Sequence, residues 1–110
     1  MKEIIYSKLV RDKIPEIIKD SGKECFCHVL DDEEYRKSLK AKLYEETKEV
    51  ECAKNDEELN EELADVVEII AALAVSNGKC LGDIIKIASD KRTKRGGFDK
   101  KIFLEKVIEK

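Results

Sequence analysis

The chain has 110 residues, of which 42% are hydrophobic, 43% charged and 5% aromatic, with a net charge of -3. Such a length makes one domain, 1–110, with a small core, and the balance is that of a mostly helical protein. No apolar run approaches the roughly 20 residues of a membrane helix, and Met1-Lys2-Glu3-Ile4-Ile5 lacks the apolar core and cleavage site of a signal peptide, so a cytoplasmic location and no membrane partner are expected.

In "SKLVRDKIPEIIKDSGK", an extended opening leads to Asp12, which is placed to cap a helix over about Lys13 to Ser21, with Pro15 in its first turn and Gly22 as its stop. "ECFCHVL" alternates and is rich in strand formers, so Cys25 to Leu30 is expected to be a short strand. On a strand Cys25 and Cys27 face one way and His28 the other, which disfavours a metal run. With Cys52 and Cys80 irregularly spaced as well, the four cysteines are expected to be free thiols.

Asp31 with Glu34 has capping-box spacing and predicts a long helix to about Lys54. Asn55 with Glu58 repeats the device and predicts a helix to Asn77, ended by Gly78. Residues 31 to 78 thus form a helical hairpin. A last helix, about Leu81 to Lys94, stops at Gly96-Gly97, and an extended stretch around Ile102 to Leu104 is positioned to pair with Cys25 to Leu30 as a two-stranded β element.

Charge is unevenly spread: residues 31 to 68 carry 15 acids against 6 bases, whereas 69 to 110 carry 10 bases against 5 acids. An acidic centre with a basic tail lacks the continuous basic face of a nucleic-acid binder and suits a cation site beside an anion site. At about 100° per residue, Leu39, Leu43, Val50 and Ala53 share an arc with Glu46 near its middle and Glu49 at its edge. Leu59, Leu63, Val66, Ile69, Ile70 and Leu73 define the next helix's arc, with Glu62 inside and Asp65 at its border. No lysine is expected in the middle of either arc.

Each acid pair is spaced by three residues and projects from one helix face. Four carboxylates brought together must take up protons or bind a cation. An all-oxygen set suits Mg2+, with Mn2+ as a substitute, since a hard cation is held by a few carboxylates plus substrate phosphates. No GxxxxGK[ST] loop is present.

"EETKE" (Glu45 to Glu49) followed by "ELAD" (Glu62 to Asp65) resembles the ExxE and ExxD signature of the all-alpha nucleoside triphosphate pyrophosphohydrolases, the MazG-like superfamily that includes phosphoribosyl-ATP pyrophosphohydrolase. "KLVRDKIPEII", "LADVVEIIAAL" and "KRTKRGGFDKKIFL" resemble one compact branch of it, so the likeness covers nearly the whole chain. The resemblance implies a helical bundle completed by oligomerisation, as a homodimer or higher homo-oligomer. It makes Glu46, Glu49, Glu62 and Asp65 the magnesium ligands and Glu45 an outer or additional one. It also implies hydrolysis between the α and β phosphates of a nucleotide substrate, releasing a monophosphate and pyrophosphate.

A carboxylate such as Glu45 or Glu49 is the candidate base, giving Glu45, Glu46 and Glu49 as the catalytic set. Cations that could grip the phosphates are Lys8, Arg11 and Lys13 near the start and Lys91, Arg92, Lys94 and Arg95 near the end. The phosphoribosyl-ATP reaction is a competing reading, disfavoured because that group's "GEEA" is absent: Tyr44 precedes Glu45-Glu46 and Thr47 follows. A non-catalytic reading is an acidic helical module that binds a basic protein partner.

Overall fold

In the computed structural model, which describes residues 2–110, four helices follow one another: α1 Ile14–Asp20, α2 Asp32–Cys52, α3 Asp56–Ser76 and α4 Leu81–Arg95. The fold is mostly α. Among the described residues no helix is long and apolar enough to cross a membrane.

Local chemistry sets most of the boundaries. The Asp31 side chain accepts from the Glu34 N–H at 2.8 Å, and Asn55 does the same for Glu58 at 2.8 Å, so α2 and α3 each start on a capped first turn. At the far end of α3, Gly78 takes φ 73°, which lets Lys79 N–H reach back to the Ala74 carbonyl at 2.8 Å. The Cys80 N–H donates to the Asp83 carboxylate at 2.9 Å at the start of α4.

α1 differs from the expected start. Its cap is Lys13, already in a helical conformation and without a side-chain hydrogen bond, so Asp12 does not cap it. The backbone turn from Ile14 N–H to Arg11 carbonyl, 3.1 Å, closes this end instead.

α2 and α3 lie along each other, joined by the short Ala53–Lys54–Asn55 connection, and α4 packs on α3. Arg36 near the start of α2 donates to Asn77 at the end of α3 at 3.4 Å, as an antiparallel hairpin requires. Leu39, Ile69 and Ala74 are buried, flanked by half-buried Leu43, Val50, Leu59, Val66, Ile70 and Leu73. Leu63 departs from its expected inward position and is exposed.

Among the described residues there is no β-strand, and the expected pairing of Cys25–Leu30 with Ile102–Leu104 does not form. A two-stranded ribbon needs a surface to pack against, and these segments have none: Phe26, Val29, Ile102 and Phe103 all face solvent. Cys25 is half-buried, its thiol near the Pro15 carbonyl at 3.7 Å, and all four cysteines are free.

The molecule is extended. Its long axis is 67 Å and its radius of gyration 18.8 Å, against about 13 Å for a compact domain of this length.

Candidate metal centre

The hairpin brings acids from both helices to one place. Glu46 on α2 and Glu62 and Asp65 on α3 are each half-buried, and one carboxylate oxygen from each lies within 4.8 Å of the others. Leu39 and Ile69 anchor the same helix pair, so the packing that makes the core also forces these oxygens together.

The cost of that crowding falls on Glu62. Partial burial pushes its carboxyl above the ordinary value of 4.5, the charges of Asp65, Glu49 and Glu46 push further in the same direction, and a hydrogen bond with Glu46 favours the protonated form. Glu49, the fourth expected ligand, is close enough to act on Glu62 but stands exposed outside the tight trio.

Two cations partly relieve the cluster, and they come from different places. Arg11, in the segment before α1, donates to Asp65 at 2.7 Å across 54 residues of sequence. Lys42, one turn before Glu46 on α2, places its ammonium 3.5 Å from Glu45 and 3.9 Å from Glu46. Its side chain is only 18% exposed, so it borders the apolar arc, whose middle, as expected from the sequence, holds no lysine. The i,i+4 spacing of Lys42 and Glu46 was the available signal.

Lys42 also lines a cleft with Glu45, Ser38, Ser7 and Lys8. Lys8 stands 5.6 Å from the Tyr6 ring centre, within cation–π range. Hydroxyls, two ammonium groups and a carboxylate therefore border the acid cluster on the side of the N-terminal segment. Ser7, Ser38 and Lys42 were not legible as cleft residues, because the cleft exists only where the N-terminal segment meets α2.

The other expected phosphate contacts are not assembled here. Lys13 is exposed at the cap of α1. Lys91, Arg92, Lys94 and Arg95 are exposed along α4, where Arg92 pairs with Asp99 at 3.1 Å. Among the described residues none of these five forms an ion pair with the acid cluster.

The trio fits a hard divalent cation by donor type: three half-buried carboxylates, all oxygen, on two helices that fix their separation. No family profile and no solved structure matches the chain. A 47-residue stretch is 47% identical to an uncharacterized protein of Mycolicibacterium smegmatis, covering 43% of this chain and 48% of that protein. The chain thus matches about half the length of that curated relative.

Proposed function

We propose that this chain is a magnesium-dependent nucleotide pyrophosphohydrolase of the MazG-like type, converting a nucleoside triphosphate and water into a monophosphate and pyrophosphate. The observation that carries the reading is the convergence of Glu46, Glu62 and Asp65 from two helices beside the cleft that holds Lys8 and Lys42. Carboxylates crowded enough to raise a neighbour's proton affinity, next to ammonium groups, match what a cation–phosphate ligand demands.

Glu46, Glu62 and Asp65 would hold Mg2+, with exposed Glu49 as a further oxygen donor and Mn2+ as a substitute. The bound cation supplies charge neutralisation on the phosphate oxygens and a more acidic water. Phosphoryl transfer otherwise asks for positioning and charge stabilisation more than covalent chemistry. Lys8 and Lys42 serve that need in the cleft, Lys42 also forming loose ion pairs with Glu45 and Glu46 at 3.5 and 3.9 Å. Glu45, half in solvent and facing the cleft, or Glu49, accepts the proton of the attacking water. Arg11 holds Asp65 in orientation and is within reach of an anion bound there. The working particle is a homo-oligomer, a reading supported by how few apolar residues the described helices bury within one chain.

The test is to offer purified protein a panel of canonical, deoxy and damaged triphosphates and phosphoribosyl-ATP, with pyrophosphate and orthophosphate measured separately. Pyrophosphate with equimolar monophosphate, abolished by excess chelator and restored by Mg2+ or Mn2+, is expected. Orthophosphate as the sole initial product, undiminished turnover in chelator, or no turnover on any substrate overturns the reading.

A further inference from the structure

We propose, building on the metal site assigned above, that Arg11 is a tethered counter-cation for the acid trio. In the metal-free chain its guanidinium occupies a carboxylate that a divalent ion would need, and metal loading displaces it toward an incoming phosphate. Cation and anion binding are thereby coupled through one side chain, with the cation first.

The contact is made by the segment that also walls the cleft. Ser7, Lys8 and Leu9 line the cleft from one side, and α2 supplies Ser38, Lys42 and Glu45 from the other. Two residues further on, Arg11 crosses to α3 and donates to Asp65 at 2.7 Å. Its backbone is anchored: the Arg11 carbonyl accepts from the Ile14 N–H at 3.1 Å, and Leu9 and Val10 are half-buried. A long side chain on an anchored backbone can swing from one partner to another without unfolding the segment that carries it.

The bond is short but open to water, the two side chains being 57% and 40% exposed. An ion pair so exposed is worth no more than about a fivefold change in an equilibrium, so an ion that gains three carboxylates at once can displace it. The neutralisation it gives is also incomplete. Arg11 reaches Asp65 and Lys42 stands 3.9 Å from Glu46, whereas among the described residues Glu62 forms no ion pair. One divalent ion answers all three carboxylates, whose oxygens lie within 4.8 Å of one another. A guanidinium and a divalent ion on the same Asp65 would repel each other, and Oδ1 is already taken. The two cations therefore compete for Asp65.

Once off Asp65, the guanidinium has five N–H donors and no acceptor of its own. The cleft beside it already presents Lys8 and Lys42, and a phosphate there is a partner that the guanidinium can hold by two parallel bonds. Arg11 thus contributes to phosphate binding only in the loaded chain. Linkage then requires phosphate to favour the metal by the same factor that the metal favours phosphate.

Calorimetry of Mg2+ binding without nucleotide, at physiological salt, compares the parent with Arg11→Gln and Lys13→Gln, each checked by circular dichroism. Arg11→Gln is expected to bind Mg2+ about threefold to fivefold more tightly than the parent. Lys13→Gln removes an equal charge two residues along, from an exposed side chain with no ion pair to the trio, and should stay within about twofold of the parent. Arg11→Lys keeps the charge but not the forked donor, should fall between parent and Arg11→Gln, and decides the question should Arg11→Gln lose helix. Inorganic phosphate is then titrated into parent and Arg11→Gln with and without Mg2+. Arg11→Gln should bind it about tenfold more weakly than the parent in Mg2+ and equally well without it. Mg2+ binding by Arg11→Gln no tighter than by the parent, or an equal loss of phosphate affinity with and without metal, overturns the proposal and leaves the metal site standing. Mg2+ binding by none of these proteins overturns the metal site and the proposal together.

Discussion

The α2–α3 hairpin and the C-terminal arm are both rich in large apolar side chains, yet Leu39 and Ile69 are buried in the hairpin while Phe98 and Phe103 are almost wholly exposed in the arm. The hairpin repeats its apolar residues at helical spacing on two capped helices joined by a short connection, so each apolar face has its partner within the same chain. The arm follows two glycines, has no regular structure and meets no face. The same contrast separates the charges: acids in the hairpin are forced together by packing, whereas the α4 cations stay solvated. Crowding, and with it unusual chemistry, arises where the chain supplies both sides of an interface.

The largest effect should come from the crowded side. Glu46→Gln or Asp65→Asn should lower pyrophosphate release by about 100-fold or more, the scale of losing one charge-stabilising group at a transferring phosphoryl. Glu57→Gln, exposed on the same hairpin, should leave the rate within about twofold. Equal behaviour of the two classes in turnover assays would reduce the acid trio to a solvated surface.

Leu39→Ala should destabilise the chain by about 3 kcal/mol, because a buried leucine loses both transfer energy and packing. Leu104→Ala should change the stability of the dilute, monomeric chain by less than about 0.5 kcal/mol, since an exposed side chain has little to lose. Urea denaturation at submicromolar concentration checks both, and a large effect of Leu104→Ala under those conditions would show that the arm packs within its own chain.

Caps supply the next size of effect. Asn55→Ala removes the acceptor for the Glu58 N–H and should cost about 1 kcal/mol. Asp12→Ala should change stability by less than about 0.5 kcal/mol, because Lys13 rather than Asp12 begins α1.

Those two substitutions also mark what the sequence made legible. Asn55 with Glu58 and Gly78 act on their own backbone neighbours, so spacing alone located α3 to within a residue. The convergence of Glu46, Glu62 and Asp65 followed from the helical wheel, because the faces that bury Leu39 and Ile69 also orient those acids. The Arg11 contact with Asp65 spans 54 residues and depends on where the N-terminal segment crosses the hairpin, which no local pattern encodes. Cys25–Leu30 alternates as a strand does, but alternation becomes a strand only when a partner and a face to cover exist. Lys42 was readable in principle from its distance of four residues to Glu46 and was obscured by the apolar arc it borders.

The smallest effect, and the most diagnostic, concerns the proton of Glu62. Its carboxyl binds a proton more tightly in the folded chain than at its ordinary 4.5, because of partial burial and then the charges of Asp65, Glu49 and Glu46. A raised carboxyl favours the folded state below the unfolded value, and that advantage is lost as pH rises through the folded value, leaving a penalty at neutral pH. In chelator, Glu62→Gln should therefore melt a few degrees above the parent at about pH 7, and the difference should shrink toward about pH 5. The carboxyls of Asp31 and Asp83, held below the usual range by backbone N–H groups at the starts of α2 and α4, stay ionised throughout that window and do not imitate the trend. Lys42 lies against Glu46 and Arg11 against Asp65, so Glu62 is the member of the trio whose neutralisation exposes the crowding most cleanly. Added Mg2+ should raise the parent's melting temperature more than the variant's, since the parent keeps the ligand the variant lacks. Melting curves that keep a constant separation across the pH range, or that respond equally to Mg2+, would show that Glu62 neither shares its neighbours' charge nor contributes to a cation site.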